Sequence, residues 1–275
     1  MPSRSTLFAP VRIPKASELL AEQIRAAILV GDLSDGSPLP SEKELVHQFG
    51  VSRATVREGL RLLEAQGLIR TRPGRGGGAT VCRPSARAHT RSLALLLQFD
   101  STTLRELLEA RRAIKPYCGR LAAERIRPEQ LAELRAVLDE MRGLTGDRAA
   151  FRTAQIRFHL LIAQATQNPV LRIYCTSLAD LIYDQIREVP LTREDLEAGT
   201  AACVRIFEAL EQRDGDAAER RIARHLVAVE AAIARAGWLP GERPMELSSL
   251  VGDPRDGALA GHVAAGMEAP TTGTS

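Results

Sequence analysis

Aromatic residues, paired cysteines and long apolar runs are all scarce in this sequence. Phe, Trp and Tyr make up only 4% of the 275 residues, and the 4 cysteines are scattered without any CxxC pair. This spacing excludes the common zinc-finger frameworks, and in a chain without a signal peptide we expect reduced thiols and a cytoplasmic protein. No run of about 18 apolar residues occurs, so no membrane-spanning helix is predicted.

The net charge is also small, at +3, which excludes a polybasic tail as the source of any affinity for nucleic acid. The charge is nevertheless uneven, because residues 1–85 hold 12 Lys and Arg against 8 Asp and Glu. A modestly basic N-terminal part beside a near-neutral remainder is typical of local contact with nucleic acid. The length is sufficient for two domains, and the abundance of Ala, Leu, Arg and Glu favours packed helices over sheets.

The N-terminal part contains two short helix patterns joined by a tight turn. Ser41 followed by Glu44 forms a capping box, which predicts the start of a helix. Gly50 supplies the left-handed residue that ends such a helix. Ser52 predicts the cap of a second helix, in which apolar residues recur at helical spacing at Val56, Leu60 and Leu63. Two helices joined by a short turn containing Gly match the helix-turn-helix signature.

The second of these helices carries cations on its exposed face. Arg53 and Arg57 lie four residues apart and project from one side, with Thr55 beside them. Guanidinium groups pair with guanine and phosphate, and a Thr methyl can contact a thymine methyl. A glycine-rich run at 74–78 then predicts a two-stranded wing with basic residues towards its tip. An isolated Arg pair is usually a solvated helix face, but caps, spacing and wing together indicate DNA binding.

These residues resemble the GntR family of bacterial transcription regulators. The family pattern appears as LPSEKEL, GVSRATVREGL and PGRGG, so the resemblance covers about residues 15–82, the predicted winged helix-turn-helix DNA-binding domain. Lys43 replaces the commoner arginine, which keeps the charge but loses the planar fork. Gly59 replaces the usual alanine, at a cost of roughly 1 kcal/mol in helix propensity. The resemblance implies that operator DNA is contacted by Lys43, Ser52, Arg53, Thr55, Arg57, Gly74 and Arg75.

From residue 102 to about residue 237 the sequence has the apolar period of helices. Short breaks containing Pro, Gly, Asn or Asp divide it into six predicted helices, which favours an antiparallel all-α bundle. The predicted fold class is therefore mainly α, with an N-terminal winged helix-turn-helix and a C-terminal helical bundle. Residues 1–14 are expected to be a flexible leader, residues 83–85 a linker, and residues 93–97 a short connecting helix. Residues 238–275 are rich in Gly, Pro, Ser and Thr and are expected to be a disordered tail.

The C-terminal part resembles the FCD ligand-binding domain of the FadR-type branch of the same family. The resemblance covers about residues 90–237 and rests on EARRAIKPYCGRLAAERI, RFHLLIAQATQNPVL and AAERRIARHL. Many members of that branch hold a divalent metal with an Asp, a His four residues later and two further His on later helices. The residues at those positions here are Gln155, His159, Cys203 and His225.

The resemblance therefore implies that His159, Cys203 and His225 are metal ligands, and such a set suits zinc better than manganese or magnesium. The alternative is a metal-free organic pocket in which both histidines are satisfied core residues. By the same resemblance Arg111 faces an effector carboxylate, although it also fits a surface position. Asn168 either donates to the effector or caps the next helix. Lys115 stands where the branch commonly has Glu, which changes the local charge.

Together these features predict a homodimeric DNA-binding transcriptional regulator. We expect a repressor that binds a palindromic operator and is modulated by a small carboxylate metabolite. The alternatives are an activator or an effector-independent regulator of the same family. A Cys–His hydrolase built on Cys203 and His159 is disfavoured because no nucleophile motif surrounds Cys203. A phosphate-binding loop is also disfavoured, because the glycine-rich run at 74–78 lacks the Lys-Ser/Thr of that motif. The chain is therefore not expected to be an enzyme.

Overall fold

The computed structural model describes residues 14–72, 74, 78–82, 86–144 and 146–238. It divides into two units, Met1–Ala88 and His89–Ser275. The first unit is formed by α1 (Ala16–Val30), α2 (Glu42–Phe49), α3 (Arg53–Ala65), β1 (Ile69–Thr71) and β2 (Ala79–Val81). Helix α4 (Ala86–Phe99) follows, and then come α5 (Leu104–Arg125), α6 (Pro128–Gly143), α7 (Arg148–Ala165), α8 (Pro169–Ile186), α9 (Arg193–Glu211) and α10 (Gly215–Arg235).

The helix ends of the first unit lie where the capping residues predict them. Ser41 Oγ accepts the Glu44 N–H at 3.3 Å, and the Glu44 carboxylate accepts the Ser41 N–H at 2.8 Å, so both halves of the capping box form. Gly50 ends α2 with a φ of 64°. Ser52 Oγ accepts the Thr55 N–H at 3.1 Å and so fixes the start of α3.

The wing is a two-stranded antiparallel sheet that is tied to the helices. Its register pairs Ile69 with Val81 and Thr71 with Ala79. The Glu64 carboxylate at the end of α3 accepts the Thr71 N–H at 2.8 Å. A single apolar core joins sheet and helices, with its buried members including Leu20, Leu45, Val56, Leu63 and Ile69.

Gly59 lies where α3 passes close to α1. A Cβ at this residue would lie 2.7 Å from Leu20 Cδ2 and 3.0 Å from the Ser17 carbonyl oxygen. Both distances are shorter than van der Waals contact, so the loss of helix propensity at Gly59 is compensated by closer helix packing.

The six helices predicted for the C-terminal part correspond to α5–α10, and the mainly α fold class is confirmed. Helix α5 packs against α7, α8 and α10, and α6 packs against α7 and α9. The largest apolar core of the described residues lies among these helices and includes Leu134, Met141, Phe151, Phe158 and Leu210. Within the described ranges, none of the helices combines the length and apolar character needed to cross a bilayer.

One predicted element is longer than expected. The sequence indicated a short connecting helix at 93–97, whereas α4 runs from Ala86 to Phe99. Ala94 is fully buried in one apolar cluster with Leu104 and Leu181, so contacts with α5 and α8 stabilise this helix. The predicted leader, the 83–85 linker and the C-terminal tail fall outside the described residues, apart from Pro14 and Trp238 at their edges.

Candidate DNA-binding face and effector site

Basic side chains lie exposed at the beginning of α3. Arg53 and Arg57 are both exposed, and the nearest carboxylate oxygen to Arg57 belongs to Glu42 at 3.9 Å. An ion pair this long and exposed contributes little, so Glu42 does not hold the Arg57 guanidinium group in place. Lys43 is exposed on α2, and Thr55 is half-buried with its hydroxyl 2.8 Å from Ser52 Oγ.

The wing contributes one described residue to the predicted set. Gly74 is exposed and has a φ of 114°, a conformation that favours glycine. Arg75 lies outside the described residues. Glu64, which links α3 to the wing, was not singled out from the sequence, because an exposed Glu at a helix end has no distinguishing pattern.

Three potential metal ligands from three helices meet inside the bundle. His159 of α7, Cys203 of α9 and His225 of α10 are buried, and one potential ligand atom of each lies within 4.8 Å of the others. The two imidazole rings are stacked, with centroids 5.0 Å apart and an interplanar angle of 22°. Both Nε2 atoms are buried without a hydrogen-bond partner in the described part of the chain. An orphaned buried nitrogen is costly, and a bound metal ion would satisfy both at once.

Burial sets the protonation of this cluster. It lowers the pKa of His225 to about 3, with help from the charges of Arg111 and Lys115, and it lowers the pKa of His159 well below its usual value. Both imidazoles are therefore neutral at pH 7, which is the form that binds metal. Burial raises the pKa of Cys203 to about 12, so its sulfur is a thiol until a metal displaces the proton. The cluster can hold a metal ion, and no cofactor is established.

Gln155, at the position of the branch's Asp ligand, has a different local role. Its side chain hydrogen-bonds the Cys203 sulfur, which partly offsets the effect of burial on the thiol pKa. A Cβ at residue 199 would lie 3.1 Å from Gln155 Nε2, so Gly199 makes room for the amide. Gln155 thus lies one helical turn before His159 and supports the cluster from beside it.

The two histidines and Gln155 line a cavity of about 370 Å³ within the second unit. This volume lies in the range of small-ligand sites. Most of the wall is apolar and is formed by α7, α8, α9 and α10, with members such as Phe151, Leu178, Ile182 and Val229. The exposed residues Arg224 and Arg235 also line it, so the cavity reaches the protein surface.

Cationic groups outnumber carboxylates in this cavity. Asp195 is the one lining carboxylate among the described residues, and it already pairs with Arg235 at 2.7 Å. Lys115 is 7% exposed and has no carboxylate within 4.0 Å in the described ranges. Burial lowers the pKa of Lys115 to about 7, with the adjacent Arg111 as the next cause. An anionic ligand would relieve this uncompensated charge.

Arg111 lines the cavity one helical turn before Lys115. Burial lowers its pKa to about 10, which leaves the guanidinium charged at pH 7. Asn168 is not among the lining residues and instead caps α8, accepting the Val170 N–H at 3.0 Å and the Leu171 N–H at 3.3 Å. The geometry therefore favours the capping interpretation of Asn168.

Arg152 was missed in the sequence although its spacing contains a signal. It is buried and lies seven residues before His159, so both occupy one face of α7. Its guanidinium donates to the carbonyl oxygens of Ile186 and Val189 and holds the segment after α8 against the cavity. Polar side chains at positions 152 and 159 on the apolar face of a helix indicate an internal polar site.

A winged helix-turn-helix with exposed cations at its recognition helix, followed by a helical bundle with an internal cavity, defines the class of two-domain DNA-binding regulators. Residues 16–78 match the family described as bacterial regulatory proteins, gntR family, and residues 106–228 match the FCD domain. The chain belongs to the GntR family and carries an FCD domain, so it is a DNA-binding transcriptional regulator and not an enzyme, as the sequence predicted.

Named relatives and a solved structure agree with this assignment. The chain is 32% identical over 203 residues to the galactonate operon transcriptional repressor of Escherichia coli K12, covering 70% of this chain and 86% of the relative. It is 31% identical over 232 residues to the HTH-type transcriptional repressor NanR of Cronobacter sakazakii, covering 82% and 88%. The Streptococcus agalactiae GntR structure superposes with a TM-score of 0.61 at 23% identity, covering 78% of this chain and 99% of that one, and shows a shared fold.

Proposed function

We propose that this regulator is a cytoplasmic homodimeric repressor that is controlled by a small carboxylate bound in the bundle cavity. The observation that carries the proposal is the buried His159–Cys203–His225 cluster beside Lys115, a buried amine whose protonated form an anionic ligand would stabilise. A neutral ligand would leave the Lys115 charge unpaired, whereas a carboxylate would pair with it. Two relatives are named as repressors, which supports repression as the direction of control.

On the DNA side, Arg53, Thr55 and Arg57 are proposed to contact base edges or phosphates of the operator. Lys43 and Ser52, together with Gly74 and Arg75 of the wing, complete the proposed contact set. One winged module reads few base pairs, so a two-fold dimer on a palindromic operator doubles the contacts. Binding of the effector would shift the conformational population of the bundle and thereby change operator affinity.

In the cavity, zinc is the metal that the donor set fits. Two neutral imidazoles and one thiol that becomes a thiolate match the three protein ligands of an open zinc site. A bound zinc ion would supply positive charge and a free coordination position for the effector carboxylate. Arg111 and Lys115 would bind and orient the rest of the anion, and Gln155 would hold the Cys203 sulfur in place.

Metal analysis combined with thermal unfolding tests this proposal. The protein is expected to bind about one zinc per chain, and Cys203→Ala should weaken zinc binding by on the order of 100-fold or more, because one of three ligands is removed. Cys82→Ala is the matched control, since Cys82 lies at the wing and should leave zinc content unchanged.

The effector class is tested with the same material. Galactonate is a suitable first probe because one relative is named for a galactonate operon, and neutral galactose is its matched control. Carboxylates should raise the unfolding midpoint of the zinc-loaded protein, whereas galactose should not. Absence of zinc together with absence of any carboxylate-dependent shift, over a panel of hydroxy acids and dicarboxylates, would contradict the proposal.

A further inference from the structure

Two cysteines that the proposed effector site does not use meet between α5 and α8. Cys118 Sγ and Cys175 Sγ are 3.7 Å apart, and the two residues are separated by 57 positions in the chain. Both are free thiols, with exposures of 2% and 1%. A disulfide needs a sulfur–sulfur distance of about 2.0 Å, so a movement of under 2 Å joins them.

The surroundings divide the roles of the two sulfurs. The hydrogen bond with Cys118 and the positive charges of Lys115 and Arg111 lower the pKa of Cys175, against the effect of burial. The same hydrogen bond, with burial, raises the pKa of Cys118. Since the thiolate is the reactive form, Cys175 is the attacking sulfur and Cys118 is the resolving one.

The cavity provides a route for a small oxidant. Cys175 is one of its lining residues, whereas Cys118 is not. The cavity reaches the surface at Arg224 and Arg235, and a molecule of the size of hydrogen peroxide is little larger than water. Cys203, in contrast, does not line the cavity and lies within the proposed metal cluster, and burial raises its pKa to about 12.

We propose that Cys118 and Cys175 are a peroxide-oxidisable dithiol that forms a reversible disulfide between α5 and α8. The Cys175 thiolate attacks one peroxide oxygen, forming the S–O bond of a sulfenic acid as the O–O bond breaks and hydroxide leaves. Cys118 sulfur then attacks Cys175 sulfur, forming the S–S bond as the S–O bond breaks. The proton from each thiol converts each hydroxide into water. In total, two thiols are oxidised by two electrons and one hydrogen peroxide is reduced to two waters.

The disulfide would act on the cationic wall of the cavity. Arg111 and Lys115 precede Cys118 on the same helix, and Ile114 and Leu171 pack around the two sulfurs from α5 and α8. Joining the helices removes the thiolate that faces Lys115 and fixes the position of α5 against α8. Oxidation would therefore change the cavity of the second unit.

Peptide mapping of the full-length protein tests the proposal directly. Trypsin places Cys118 in the peptide 113–120 and Cys175 in the peptide 173–187, because Lys115 precedes a proline and is not cleaved. After hydrogen peroxide and alkylation under denaturing conditions, the two peptides should appear as one linked species, with two of the four thiols lost. Dithiothreitol should restore all four, and the oxidised protein should unfold at a higher temperature because the cross-link restricts the unfolded chain.

Variants separate this site from general oxidation. Cys118→Ser should block the cross-link and leave a sulfenic acid at Cys175 that reacts with dimedone, whereas Cys175→Ser should abolish both products. Cys82→Ser, at the half-buried wing thiol, should form the Cys118–Cys175 link as the wild type does. Four intact thiols after peroxide, a link between any other pair, or loss of two thiols in Cys118→Ser would each overturn the proposal.

Discussion

The candidate functional groups are exposed in the first unit and buried in the second. In the first unit the cations proposed to contact DNA are exposed, as with Arg57, whose side chain is 59% exposed. In the second unit the corresponding groups lie inside, as with Lys115 at 7% and His225 at 3% exposure. An exposed cation costs little to keep charged, whereas a buried one destabilises the fold until a ligand pairs with it.

This difference teaches how binding and stability are related in each unit. Removing a side chain from the outer face should weaken a contact with DNA and leave the fold unchanged. Removing a charge from the inner site should weaken binding of an anion and stabilise the fold. Trade-offs of this kind are common at sites built for ligands.

The largest effect is expected at the outer face. Arg57→Ala should weaken operator binding by about 100-fold, because one contact to a base or phosphate contributes roughly 1–3 kcal/mol and a two-fold dimer loses two. The slope of affinity against salt concentration should fall if the lost contact is to phosphate. The measurement is a salt titration on operator DNA selected from a random library by the wild-type protein.

Arg142→Ala is the matched control for this experiment. Its side chain is also 59% exposed and pairs with Asp139, but it lies on α6 of the second unit. Its removal should leave operator affinity unchanged. Equal affinities and equal salt slopes for Arg57→Ala and the wild type would show that α3 does not present Arg57 to DNA.

A smaller effect, an increase in the stability of the fold, is expected when the buried charge of Lys115 is removed from the second unit. With a pKa of about 7 in the folded state against 10.5 ordinarily, Lys115 binds its proton more weakly after folding. Above pH 10.5 both states are neutral and the residue costs nothing. As the pH falls towards 7 the unfolded chain takes up the proton first, so the folded state loses stability on the order of 4 kcal/mol. Lys115→Met should therefore be more stable than the wild type at pH 7 by about 2–4 kcal/mol.

Urea denaturation at pH 7 and pH 9 measures this difference, which should shrink by about half at the higher pH. Lys43→Met is the control, since Lys43 is exposed on α2 and its replacement should change the free energy of unfolding by less than about 0.5 kcal/mol. A Lys115→Met protein less stable than the wild type would mean that the ammonium group has a stabilising partner in the folded state.

The smallest effect concerns two glycines at helix crossings. Gly59 lies where α1 meets α3, and Gly119 lies against Ile222 and Ala218 where α5 meets α10. Alanine improves helix propensity by about 1 kcal/mol, but overpacking costs roughly 1–3 kcal/mol, so both alanine variants should be slightly destabilised. Thermal unfolding checks this, with Gly143→Ala as the control, because a Cβ there meets no atom within 4 Å. Stabilisation by Gly59→Ala would show that α1 moves to admit the methyl group.

Local chemistry explains why the first unit was largely predictable. Capping boxes, the left-handed Gly50 and four-residue spacing act within a few positions, and each appears in the structure as the sequence indicated. Breaks containing Pro, Gly, Asn or Asp separated the six bundle helices in the sequence, and in the structure Asp147, Asn168, Thr192 and Asp214 each cap the helix that follows such a break. The resemblance to the family identified His159, Cys203 and His225 as a possible set of metal ligands. Their spacing in the sequence alone did not indicate such a set.

The sequence by itself thus determined the helix-turn-helix, its wing and the cations at the start of α3, since these depend on neighbours along the chain. Only the tertiary structure decided that Lys115 has no carboxylate partner among the described residues, that Arg152 holds the segment after α8, and that Cys118 meets Cys175 across 57 residues. The physical reason is that burial and contact between distant helices set these charges and distances, and neither is encoded in the spacing of nearby residues.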